Sequence, residues 1–160
     1  GMDVVIVRPP LVYGPGVKAN FLNMIQWVDR GIPLPFGRKL NRRSLLALDN
    51  LIDFLYCCSM HPKAANAVFL ISDGQDLSTT DLLVMISKAL GKEPRLISLP
   101  KFLLNILGVF FRKRDVMERL IGSLQVDITP ARSMLDWEPK ISVDKAIEKV
   151  VKDYVDKKRG

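Results

Sequence analysis

The stretch Val4-Val5-Ile6-Val7-Arg8-Pro9-Pro10-Leu11-Val12-Tyr13-Gly14-Pro15-Gly16 decides how the chain is read. Residues 4–7 are a continuous β-branched run, the pattern of a parallel strand covered on both faces. Pro9 and Pro10 should end it, because two prolines remove two ladder donors and block helix. Tyr13-Gly14-Pro15-Gly16 is a turn cluster, so a loop is expected beyond the carboxyl end of the strand. Open α/β sheets usually bind their ligands there.

Working outward, Phe21, Met24, Ile25 and Val28 fall at i, i+3, i+4 and i+7, one face of a helix that should stop at Gly31. Leu34-Pro35-Phe36-Gly37 and the basic residues 38–43 read as a loop, and 44–48 as a short strand. Asp49 is the expected cap of a helix whose apolar face is Leu51, Ile52 and Leu55, with Cys58 as a further candidate, and which ends before Pro62. Residues 68–72 are another strand, closed by Asp73-Gly74. Ser78 and Asp81 have capping-box spacing ahead of Leu82, Leu83, Ile86 and Leu90, with Gly91 as the residue past the helix. A strand is expected over 95–99, a strongly apolar segment over 102–111 and a short helix over 129–135. The last helix begins after Ser142 and buries Val143, Ala146, Ile147, Val150, Val151, Tyr154 and Val155. Strands alternating with helices predict an α/β fold.

Composition narrows the function. Of 160 residues, 48% are apolar and 26% charged, which excludes wholesale disorder. No apolar run approaches the roughly 18–20 residues that span a bilayer. The net charge of +7 suits anionic partners. The basic residues are dispersed rather than interleaved with aromatics, and no nucleic-acid motif is present, so nucleic acid is not an expected partner. The amino terminus carries Asp3 where a signal peptide would be positive. Cys57 and Cys58 are adjacent and His61 is the single histidine. Neighbouring cysteines rarely satisfy disulfide geometry, and the spacing suits no structural zinc, so the cysteines read as partly buried small hydrophobes. The expected compartment is a reducing cytoplasm, with no metal.

Arg8 to Gly16 resembles the strand-and-loop signature of the extended short-chain dehydrogenase/reductases, the nucleotide-sugar epimerase/dehydratase group. Asn41-Arg42-Arg43-Ser44-Leu45 with Asp49-Asn50-Leu51 resembles that group's second signature. Asp127 through Trp137 and Pro139 resemble its third. The resemblance implies the carboxyl-terminal part of a Rossmann-type doubly wound sheet plus the small mixed α/β substrate-binding domain, over residues 1–160. Gly122-Ser123-Leu124-Gln125-Val126-Asp127 makes the chain most similar to bacterial UDP-sugar 4-epimerases and 4-keto reductases of surface-polysaccharide synthesis.

On this resemblance the glycine-rich NAD loop and the Tyr-x-x-x-Lys pair belong to a half outside this sequence. No G-x-G-x-x-G follows a strand here. Val17 and Met60 stand where a lysine would have to follow Tyr13 and Tyr56. Tyr154 and Lys158 have the spacing, but Tyr154 lies on the apolar stripe of a terminal helix. No catalytic residue is therefore assigned, and the chain alone is expected to be inactive. The full-length enzyme would use NAD or NADP; Pro9, Pro10 and Leu11 would lie beside its nicotinamide ring.

The resemblance implies a substrate set of Asn20, Phe21, Phe36, Arg43 and Arg119. Arg43 matches the arginine that grips the nucleotide pyrophosphate, and a guanidinium fork pairs phosphate oxygens bidentately. Arg119 matches a second phosphate arginine, with a rim salt bridge as the alternative. Asn20 could bond phosphate or sugar hydroxyls, or cap the helix it begins. Phe36 could stack on uracil, or anchor its loop by packing. The expected partner is a UDP-sugar or another nucleotide-sugar. The rival reading is a non-catalytic binding or self-association module, with a homodimer as its product. A weaker alternative gives 102–111 and its Arg-Lys-Arg exit peripheral contact with a membrane.

Overall fold

A computed structural model describes residues 2–100, 102, 103, 106 and 120–160. The prolines do not end the extended chain; they move it from one sheet to another. Strand β1 (Ile6–Arg8) starts later than expected, and a second, unexpected strand, β2 (Leu11–Tyr13), precedes the turn, which falls at Pro15-Gly16. Neither proline can donate to a ladder, so pairing stops at them and resumes beyond them with a different neighbour.

Helix α1 (Ala19–Asp29) follows β2, then come β3 (Leu45–Ala47), α2 (Leu48–Met60), a 3₁₀ turn (Pro62–Ala64) and β4 (Val68–Leu70). Helices α3 (Thr79–Ala89), α4 (Thr129–Leu135) and α5 (Val143–Arg159) complete the described elements. Strand β1 pairs with β4 in parallel, Ile6 opposite Val68 and Arg8 opposite Leu70. Strand β2 pairs with β3 in parallel, Leu11 opposite Leu45 and Tyr13 opposite Ala47. Residues 95–99 contribute a single bridge, Leu34 to Leu96, rather than a strand.

Alternation along β3 divides the interior. Leu45 and Ala47 join a core built with Phe21, Ile25, Leu83, Ile86, Ile147 and Val150 from α1, α3 and α5. Leu46 points the other way, into a second core with Phe54, Phe69, Ala131, Leu135 and Trp137. The expected stripes of α1, α3 and α5 are the buried ones, except that Leu90, Tyr154 and Val155 at their carboxyl ends are only half-buried, and Ser78 and Asp81 form the full capping box.

Helix α2 corrects two expectations. It begins at Leu48 with no side-chain cap, and Asp49 sits inside the first turn, paired with Lys149 at 2.6 Å. Its buried residues are Asn50 and Phe54, whereas Ile52 is 57% and Leu55 47% exposed. Phe54 wins the core position because its ring fits edge-on against both Phe69 (5.6 Å) and Trp137 (4.9 Å). Asn50 is drawn in by hydrogen bonds. Leu48, Ile52, Leu55 and Tyr56 are left as an exposed apolar stripe. The outer face of the β1–β4 sheet, with Ile6, Val68 and Leu70, is exposed too.

Trp137 of the third signature is structural. Its indole Nε1 donates to Asp53 of α2 at 2.8 Å, and Lys140 pairs with the same carboxylate. Cys57 and Cys58 are half-buried on α2, and burial pushes both thiols up. No helix among the described residues is long and apolar enough to cross a membrane. Most of 102–111 lies outside the described residues.

Candidate functional site

The carboxyl end of β2, the loop after it, the first turns of α1 and α3, and the approach to β3 surround a cavity of about 410 Å³. Arg43 of the second signature and Asn20 and Phe21, which the resemblance places near a nucleotide diphosphate, all line it. Leu11, Leu48 and Thr79 are among its other walls.

Arg43 is pinned through its backbone. Its N–H donates to Leu77 carbonyl at 2.8 Å, and the Leu77 N–H returns a bond of 2.9 Å. The neighbours on either side are anchored as well. Asn41 accepts from the Thr79 N–H at 3.0 Å and donates to the carbonyls of Leu120 and Gly122. The Ser44 hydroxyl donates to Asp76 and accepts from the Val126 N–H at 3.0 Å. The guanidinium is half-buried, and that desolvation lowers its pKa. An arginine so placed still carries its charge at neutral pH, in a partly dehydrated setting where an anion is bound more strongly than at an open surface.

Phe21 is 1% exposed and stacks on Tyr13, centroids 5.3 Å apart and planes within 10°. Its role in the cavity is thus a wall held by stacking. Asn20 lies inside α1, whose cap position is Lys18, so the capping alternative does not hold. Phe36 is 5% exposed, packs in the core and does not line the cavity. The Thr80 hydroxyl donates to its carbonyl at 2.7 Å, which fits loop-anchor packing. Arg119 lies outside the described residues. Arg38 and Arg42 are exposed.

Behind the cavity is a polar network that the sequence reading did not assign. The Tyr13 hydroxyl donates to Asp73 at 2.8 Å. The Asp73 carboxylate also accepts from the Ala47 N–H and from the Asn50 amide, at 2.9 and 2.7 Å. Asn50 in turn bonds Ile141 through both its carbonyl and its amide. Burial pushes Asp73 up, against the pull of these donors. Tyr13 is pushed far above the ordinary phenol range by burial and by Asp73, so its hydroxyl stays protonated. The available signal was Asn50 itself, a polar residue where a strand runs straight into a helix.

Tyr154 and Lys158 are both bound to Asp29, the hydroxyl at 2.9 Å and the ammonium beside it. Leu11 is 43% exposed, Pro9 is exposed and Pro10 half-buried. Leu11 lines the cavity, whereas Pro9 and Pro10 are not among its walls. This sequence supplies no glycine-rich loop for a dinucleotide's phosphates. No group of His, Cys, Asp or Glu among the described residues could hold a metal ion.

No family model matches the chain. A UDP-glucose 4-epimerase of Vibrio cholerae is 43% identical over 155 residues, covering 96% of this chain and 47% of that protein. A UDP-glucuronate 4-epimerase of Thermodesulfobacterium geofontis is 24% identical over 154 residues, 94% of this chain and 43% of that one. Among solved structures, an epimerase of Methanothermobacter thermautotrophicus superposes with a TM-score of 0.75 at 19% identity, over 99% of this chain and 45% of that one. The UDP-glucose 4-epimerase of Thermotoga maritima with UDP-glucose gives 0.69 at 20% identity, over 98% and 47%. Over nearly its whole length the chain is similar to part of UDP-sugar 4-epimerases and related NAD-dependent epimerase/dehydratases. It spans about half the length of the relatives it matches. The structural likeness shows a Rossmann-type mixed α/β fold, and the parallel β1–β4 and β2–β3 pairs are its strands here.

Proposed function

We propose that the chain is the substrate-binding half of an NAD(P)-dependent UDP-sugar 4-epimerase, or of a related dehydratase or keto-reductase, in bacterial surface-polysaccharide synthesis. The observation that carries this reading is the meeting of Arg43, Asn20 and Phe21 on one cavity. In it the Arg43 guanidinium pairs with the pyrophosphate, and the Asn20 amide bonds a phosphate oxygen or a sugar hydroxyl. Arg119 is the second proposed phosphate arginine. In the whole enzyme a bound NAD(P) would supply reversible hydride transfer at C4 of the sugar, and a reductase would need only its reducing direction. Pro9, Pro10 and Leu11 would lie beside the cofactor's nicotinamide ring, and the groups that hold the dinucleotide phosphates and the proton-accepting tyrosine would come from the other half. The chain alone turns over no sugar, and its compartment is the cytoplasm.

Calorimetric titration of the chain with UDP tests the assignment. Wild type binds, Arg43→Ala loses about tenfold or more in affinity, and Arg43→Lys recovers part of it, as expected when a bidentate charged contact is removed. Equal affinity of wild type and Arg43→Ala contradicts the assignment. Turnover of a UDP-sugar by the chain with added NAD contradicts the claim of inactivity.

A second reading has its own observation. The exposed apolar residues on α2 and on the outer face of β1–β4 suit burial against another polypeptide, so self-association is the rival function.

A further inference from the structure

The loop over residues 14–18 forms one rim of the cavity. Three contacts set its course. Gly14 approaches Leu48 so closely that a Cβ would stand 2.8 Å from the leucine's own. The Val17 N–H closes a turn on the Gly14 carbonyl at 3.0 Å. Between them Gly16 takes a φ of +80°, and its N–H donates to the Asp153 carboxylate at 2.8 Å. Asp153 lies 137 residues downstream, just past the last buried residues of α5, Val150 and Val151. Lys157, one turn further on, holds the same carboxylate at 2.8 Å. The final helix thus reaches back to the rim of the cavity.

We propose that Asp153 is a positioning residue for the nucleotide-diphosphate cavity, holding the rim loop by the Gly16 amide. This rests on the functional reading above. The contact is cheap for the fold as a whole. The Asp153 side chain is 27% exposed, and surface interactions of this kind add little to global stability. Its influence is on where the rim stands, so loss of the carboxylate should register in the loop and in ligand affinity while the melting temperature hardly moves.

Charge gives the test its sign. Removing a carboxylate near an anion-binding cavity tightens anion binding by Coulomb's law alone. Releasing the rim weakens it. Asp153→Ala and Asp153→Asn make the same charge change, but asparagine keeps a side-chain carbonyl that can accept the Gly16 N–H.

The experiment measures amide hydrogen exchange over residues 14–18 and UDP affinity in wild type, Asp153→Ala, Asp153→Asn and Arg43→Ala. We expect Asp153→Ala to raise exchange at Gly16 about tenfold and to weaken UDP binding about three- to tenfold, with Asp153→Asn close to wild type in exchange and binding UDP as tightly as wild type or slightly more so. Unchanged exchange in Asp153→Ala, or UDP binding that is equal or tighter, overturns the proposal. Should wild type and Arg43→Ala bind UDP equally, the functional reading fails, and exchange at Gly16 still decides whether Asp153 holds the loop.

Discussion

The Tyr13 hydroxyl donates to the Asp73 carboxylate across 2.8 Å, and both residues are buried. That bond joins the end of β2 to the segment after β4, and so ties one parallel pair to the other. Tyr13→Phe removes one of several donors to Asp73 and should cost about 1–2 kcal/mol. Asp73→Ala strands the Tyr13 hydroxyl, the Asn50 amide and the Ala47 N–H together, and should cost about 3 kcal/mol or more. Urea denaturation midpoints check both. Equal small losses would show that Asp73 is no hub.

Asp29, the last residue of α1, faces Lys158, Lys92 and the Tyr154 hydroxyl. Hydrogen bonds from Lys158, then Lys92, hold its carboxyl well below the usual range. An acid at a helix carboxyl end opposes the helix dipole, and the two lysines offset that. With the folded pKa depressed, the stabilisation is present above the unfolded value and is lost as pH falls towards the folded one. Asp29→Asn should therefore be about 1 kcal/mol less stable than wild type at pH 7, the gap closing below about pH 4. A gap independent of pH would contradict this.

Gly14 sits where a Cβ would meet the Leu48 Cβ at 2.8 Å. Gly14→Ala must push the loop from α2 and should cost about 1–3 kcal/mol. Thermal unfolding measures this cost, and a neutral result would place the loop farther from Leu48.

Much of this architecture was legible in the sequence, for identifiable reasons. Phe21, Met24, Ile25 and Val28 were read as a buried stripe because helix periodicity acts locally, and Ser78 with Asp81 because a capping box closes within one turn. Helix α2 misled because its most apolar stripe is the one the described structure leaves uncovered, while Phe54 and Asn50 are buried by long-range partners, Trp137, Asp73 and Ile141. Strand β2 was hidden because its partner β3 is distant in sequence and its neighbours are prolines and glycines. At the site, Arg43 carried its own signal in the signature, whereas Asp73 and Asp153 act through contacts to residues far away along the chain.

The exposed α2 stripe makes a prediction of its own. Ile52 is 57% exposed, so Ile52→Lys should change stability by no more than about 0.5 kcal/mol. It should lower binding of a hydrophobic dye and any self-association seen by sedimentation. Substantial destabilisation would mean that Ile52 is packed inside the chain.

The most direct test is to locate UDP on the protein, by a crystal structure of the complex or by shift mapping of the backbone amides. The account predicts the diphosphate within hydrogen-bonding reach of the Arg43 guanidinium, with perturbed amides at Arg43, Asn20 and the loop over 14–18. Diphosphate bound away from Arg43, with those amides unmoved, would contradict it.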